Sequence, residues 1–137
     1  MQYPDLHYAK VNGVDALSLV DKNWFVNEFI PAVQHRGAEV IKERGQSSAA
    51  SAANAAIMQM SAWIFGTRQG DWVSMGVASD GSYGIQEGLV CSLPVEVRNG
   101  HCQIVYGLDL NDFSKKMLKQ NETKLRSERD AVRHLLV

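Results

Sequence analysis

Apolar positions along the chain change their spacing twice, and each change marks a new kind of element. At the start, His7 to Val11 and Val14 to Leu17 flank Asn12-Gly13. That pair is preferred in a type I′ turn, where both central residues need positive φ, so a short hairpin is predicted. Asp21 stands where a helix N-cap belongs, its carboxylate able to accept the free N–H groups of the next turn. Behind it, Trp24, Phe25, Val26, Phe29, Ile30, Val33, Ala38, Val40 and Ile41 form a broad helical stripe. Pro31 lies inside the stripe, removes a backbone donor and crowds the preceding turn, so the helix is expected to be kinked or in two parts. Gly45 ends it.

A second helix is predicted from a cap at Ser47 or Ser48 to about Ile64, closed by Gly66. Six of the eight residues from Ala49 to Ala56 are alanine, and a wider face begins at Ile57, Met58, Met60, Trp63, Ile64 and Phe65. From Asp71 the period shortens. Trp72 to Ala78 reads as a strand, Asp80-Gly81 as a turn, and Leu89 to Val97 with Cys102 to Tyr106 as a hairpin around Asn99-Gly100. Pro94 suggests an edge position or a bulge. Asn111 or Asp112 caps a last helix to about Leu136, with Phe113, Met117, Leu118, Leu125, Val132, Leu135 and Leu136 as its apolar positions. Its polar middle, Lys119 to Lys124, is expected to face water. The order of hairpin, helices, antiparallel strands and helix is α+β.

Composition narrows the class. With 137 residues, residues 1–137 make one domain of ordinary size. Hydrophobic residues at 45% and charged residues at 21% are globular values. A net charge of −1 gives no basic excess for nucleic acid or an anionic membrane surface, and no apolar run is long enough to span a bilayer. The segment from Met1 to Asp5 lacks the pattern of a secretory signal, which leaves a cytoplasmic protein as the expectation.

Motifs of complete catalytic machinery are missing. His7, His35, His101 and His134 show no ligand spacing, so no metal site is expected. Cys91 and Cys102 sit on the two arms of one hairpin, where Cys102 faces Val97, and are read as free thiols. Asp71, Asp80 and Glu87 lack the alternation of a calcium loop and are read as a solvated turn. No Gly-rich phosphate loop and no Gly-x-Ser-x-Gly elbow is present.

The best local candidate is Ser47-Ser48-Ala49-Ala50-Ser51-Ala52. Hydroxyls at a helix N-terminus offer hydrogen bonds and a positive dipole end to an anion. Ser48 and Ala52 are i, i+4 and would share a face, one to bind a carboxylate and one to leave room for a flat ring. The competing reading is a serine cap with alanines packed on a neighbouring helix, and pattern alone favours it.

Taken together, several runs resemble a known family. They are Gln34-His35-Arg36-Gly37-Ala38-Glu39-Val40-Ile41, Ser47-Ser48-Ala49-Ala50-Ser51-Ala52-Ala53, Trp63-Ile64-Phe65-Gly66-Thr67 and Val73-Ser74-Met75-Gly76-Val77-Ala78-Ser79-Asp80-Gly81. Tyr83-Gly84-Ile85, Leu93-Pro94-Val95 and Asn111-Asp112-Phe113-Ser114 follow in order. The set closely resembles cytosolic-type NAD-dependent malate dehydrogenase, from Gln2 to the end of the chain, over the C-terminal domain only.

The resemblance implies a twisted antiparallel sheet packed with helices, the C-terminal domain of the lactate/malate dehydrogenase fold, without a Rossmann domain. It implies an oxidoreductase of carboxylic acid metabolism and the tricarboxylic acid cycle, interconverting malate and oxaloacetate with NAD. The family's catalytic histidine would fall just upstream of Met1, because Gln2-Tyr3-Pro4-Asp5 directly follows it in relatives. No catalytic residue is therefore assigned in this chain. Ser48 is implied as substrate-binding and Ala52 as lying against the nicotinamide ring, which reverses the preference for a plain cap. The chain alone is expected to bind no cofactor and to be inactive, and a homo-oligomer, most simply a dimer, is expected. The alternative is a stand-alone, non-catalytic dimerising module with the same fold.

Overall fold

The computed structural model describes residues 3–135. The chain divides into two compact units, Met1–Ser48 and Ala49–Val137.

The first unit opens with the expected hairpin, shorter than the sequence suggested. β1 (Lys10–Val11) pairs with β2 (Val14–Asp15) in antiparallel register, Val11 opposite Val14. Asn12 and Gly13 take φ of 51° and 81°, as a type I′ turn demands. Asp21 caps α1 (Lys22–Trp24), its Oδ1 accepting from the N–H groups of Asn23 at 2.8 Å and Trp24 at 3.1 Å. The helix then widens into a π turn at Phe25–Phe29 before continuing as α2 (Ile30–Arg44). This is how the chain absorbs Pro31. The proline lies in the first turn of α2, and the Ile30 N–H reaches back to the Phe25 carbonyl, five residues away. Phe25 and Ile30 are buried, and Phe25 and Phe29 stack at 6.0 Å between ring centres. Gly45 closes α2 with φ of 68°, so the expected break and the expected stop are both found.

The second unit is an antiparallel three-stranded sheet, ordered β3 (Val73–Ala78), β4 (Val90–Arg98), β5 (His101–Ile104), with two helices, α3 (Ala50–Phe65) and α4 (Asp112–Val132). Leu93, Val95 and Val97 alternate along β4 and are fully buried. Each contributes about 1.5–3 kcal/mol by leaving water. At one end of this face Met75, Val95 and Val97 meet Ala62 of α3, and at the other Ile85, Leu89 and Leu93 meet Leu118 and Leu125 of α4. Ser74, Gly76, Val90 and Ser92 on the opposite face are exposed, the one-sided burial usual for an antiparallel sheet. The β4–β5 turn is type I′-like at Asn99 and Gly100, and Cys102 stands opposite Val97, as the sequence register required.

Three expectations are corrected. Pro94 is not at an edge: β4 is the central strand, and Pro94 pairs with Ser74. It is tolerated there because its nitrogen points toward β5 just where that strand ends, opposite Val105. The N-cap of α3 is Ala49, so neither serine caps it. Finally, the polar middle of α4 is not all in water. Glu122 is buried, one helical turn from Leu118 and Leu125 on the stripe that packs under the sheet. Asn111 caps α4 by accepting from the Ser114 N–H at 2.8 Å, as predicted. The expected helix end near Leu136 and the start of the resemblance at Gln2 lie outside the described residues.

Candidate functional site

Of the candidate residues, Ala52 lies in the first turn of α3 and Ser48 precedes that helix in the chain, and the sequence explains why the helix is built as it is. Its far end is fixed to the sheet. Ala62 lies on the buried face of β4, and Trp63 Nε1 donates to the Gly100 carbonyl at 3.1 Å. Gly66 turns the chain with φ of 83°, and a Cβ there would come within 2.9 Å of the Val97 carbonyl oxygen. Thr67 follows with a reciprocal pair to β4. Its N–H donates to the Val97 carbonyl at 3.1 Å, and its Oγ1 accepts from the Val97 N–H at 3.2 Å. The Thr67 carbonyl accepts from Arg98 Nη1 at 2.8 Å. A carbonyl approached this closely leaves room for glycine alone.

The near end of α3 is bare. Every residue from Ala49 to Ser61 is exposed, and the Ala49 cap has no side-chain acceptor for the first-turn N–H groups. Those groups and the helix dipole leave a positive end able to receive an anion. Ala52 lies in the first turn, where its methyl group presents a small apolar wall. Ser51 is the hydroxyl that the first turn itself carries. Ser48 is half-buried and precedes the helix. The i, i+4 argument that joined Ser48 to Ala52 therefore does not hold as helix geometry. Ser48 closes the first compact unit, and Ala52 belongs to the second.

Away from Ala62, the spacing of Ala53, Ile57, Met60 and Ile64 places them on one outer side of α3. Met60 is 58% exposed, and Phe65 at the helix end 84%. Sequence reading identified the large side chains but not that they remain uncovered in this chain.

The histidines fall in separate places. His35 is on α2, His101 opens β5, and His134 is in the last turn beyond α4. His7 contacts Asp5 through Nδ1, and its backbone N–H donates to the same carboxylate at 3.0 Å, a local turn between residues two apart. Among the described residues no three His, Cys, Asp or Glu side chains come together as a metal-ligating group. Among the described residues no helix is long and apolar enough to cross a membrane.

Two carboxylates have shifted acidities. The exposed Asp80 is lowered to about 2, first by the Ser82 hydroxyl and then by the Tyr106 hydroxyl, which donates to Oδ2 at 2.6 Å. Asp80 in turn raises Tyr106. Glu122 is held below the usual range chiefly by its hydrogen bond from Lys119, with the Gln86 N–H adding to it and burial opposing. The signal for Glu122 was present in the sequence as Leu118, Glu122 and Leu125, spaced i, i+4, i+7.

This unit therefore combines a one-faced antiparallel sheet with a helix whose start is polar-ended, small and open. Residues 1–136 match the α/β C-terminal domain of lactate/malate dehydrogenase, and the chain belongs to that family. It is similar to the malate dehydrogenase of Naegleria fowleri, with 44% identity and a TM-score of 0.88 over 98% of this chain and 41% of that one. It is also similar to the lactate dehydrogenase of Trichomonas vaginalis in complex with NADH and oxamate, with 35% identity and a TM-score of 0.80, over 88% of this chain and 38% of that one. The malate dehydrogenase of Salinibacter ruber shares the fold, with 23% identity and a TM-score of 0.82, over 96% of this chain and 42% of that one. The chain thus spans about two fifths of the length of these relatives.

Proposed function

We propose that residues 1–137 are the single substrate-side domain of a cytosolic-type, NAD-dependent malate dehydrogenase that interconverts malate and oxaloacetate in the cytoplasm as part of carboxylic acid metabolism. The observation that carries the reading is the start of α3. Its first-turn N–H groups have no side-chain cap, and the neighbouring residues in the sequence, Ser47 to Ala53, are all alanine or serine. In the intact subunit, the Ser48 hydroxyl donates a hydrogen bond to the substrate carboxylate, and the dipole end of α3 favours that negative charge. The small surface at Ala52 fits one face of a flat nicotinamide ring. NAD, when bound, supplies the hydride acceptor or donor. The chain's own contribution is to place the substrate and to keep that face narrow and apolar. The malate assignment is supported by the identity to the Naegleria fowleri enzyme, and the cytosolic type by the residue runs quoted above.

The acid/base histidine and the Gly-rich dinucleotide loop belong to the rest of such a subunit, so the chain by itself holds neither catalysis nor NAD. The second reading, a non-catalytic dimerising module, is favoured by the exposed outer face of α3.

The deciding experiment is Ser48→Leu in a complete subunit containing this domain. The Michaelis constant for oxaloacetate should rise while the fold survives, because a bulky side chain enters the substrate's space and a hydrogen bond worth about 0.5–1.5 kcal/mol is lost. Unchanged kinetics with a lower melting temperature would make Ser48 a purely structural residue.

A further inference from the structure

We draw no further inference here: the strongest candidate, the apolar outer face of α3 at Ala53, Ile57, Met60 and Ile64, carries nothing beyond the association already proposed, because nothing in the structure shows what covers it.

Discussion

The Tyr83 hydroxyl donates to the Val105 carbonyl, the acceptor that Pro94 leaves without its ladder partner. Val105 and Pro94 are opposite one another, and the Val105 N–H donates to the Pro94 carbonyl at 2.9 Å. In an antiparallel pair the return bond would come from residue 94, which has no N–H. Tyr83 replaces it from the loop after β3. Tyr83→Phe should therefore destabilise the domain by about 1–3 kcal/mol, the cost of an unsatisfied, partly buried acceptor. In a Pro94→Ala background the same change should cost less, because the restored N–H can serve Val105. Urea melts of the four proteins of this double-mutant cycle would test it. Equal costs in both backgrounds would dismiss the substitution of one donor for the other.

Two glycine-to-alanine changes should have opposite signs. At Gly66 the positive φ is strained for alanine and the added methyl would meet Val97 backbone at 2.9 Å, so a loss of about 1–3 kcal/mol is expected. Gly37 lies within α2 with nothing within 4 Å of an added Cβ, so Gly37→Ala should gain about 0.5–1 kcal/mol. Thermal melts of both variants decide the matter.

Acid should remove support at Asp80 and Glu122. Both carboxyls have folded-state values below their unfolded ones, so each stabilises the fold above the ordinary carboxylate range, and that contribution fades as pH falls through the lowered value. For Asp80 the window runs from the ordinary 3.8 down to about 2. Carboxyl titration by NMR should find Asp80 near 2, moved upward by Ser82→Ala and less by Tyr106→Phe, in the order of their contributions. Glu122→Gln should flatten the acid limb of the stability profile between the ordinary 4.5 and the lowered value.

The 137-residue chain should not oxidise NADH with oxaloacetate, and calorimetry at millimolar NAD should show no saturable heat. General acid/base catalysis alone is worth about 10²–10⁴-fold, and the cofactor's diphosphate and ribose need a Rossmann loop. Turnover near that of a complete relative, or a micromolar dissociation constant, would overturn the assignment of these groups to the rest of the subunit.

Association should depend on α3. Light scattering across a concentration series is expected to show a dimer at tens of micromolar, the simplest closed form. Met60→Glu, on the exposed outer face, should shift the equilibrium toward monomer, because exposed apolar patches drive such contacts and a charge there opposes burial. The same dimer in both proteins would place the contact elsewhere.

Local chemistry was legible wherever a residue acts through its own backbone or its nearest neighbours. Asn12-Gly13, Asn99-Gly100, Asp21, Gly45, Gly66 and Asn111 perform the turns, caps and stops their types imply, because positive φ and side-chain capping are decided within a few residues. The interruption at Pro31 was also readable, though not its form, since a π turn is one of several ways to relieve the same clash. The quoted residue runs were enough to reach the family, and the fold followed from it. What the sequence could not decide was which partner each polar or apolar side chain meets. Pro94 looked like an edge residue until Tyr83, from a loop distant in the chain, supplied the Val105 carbonyl with the hydrogen bond that the proline nitrogen cannot give. Glu122 looked solvated until packing set Leu118 and Leu125 beneath the sheet and took the carboxylate with them. Ser48 read as a residue of the helix start, sharing a face with Ala52, until the helix began at Ala50 with Ala49 as its cap and left Ser48 outside it. Each is a matter of contacts between distant parts of the chain or of where an element ends, and only the tertiary structure settles them.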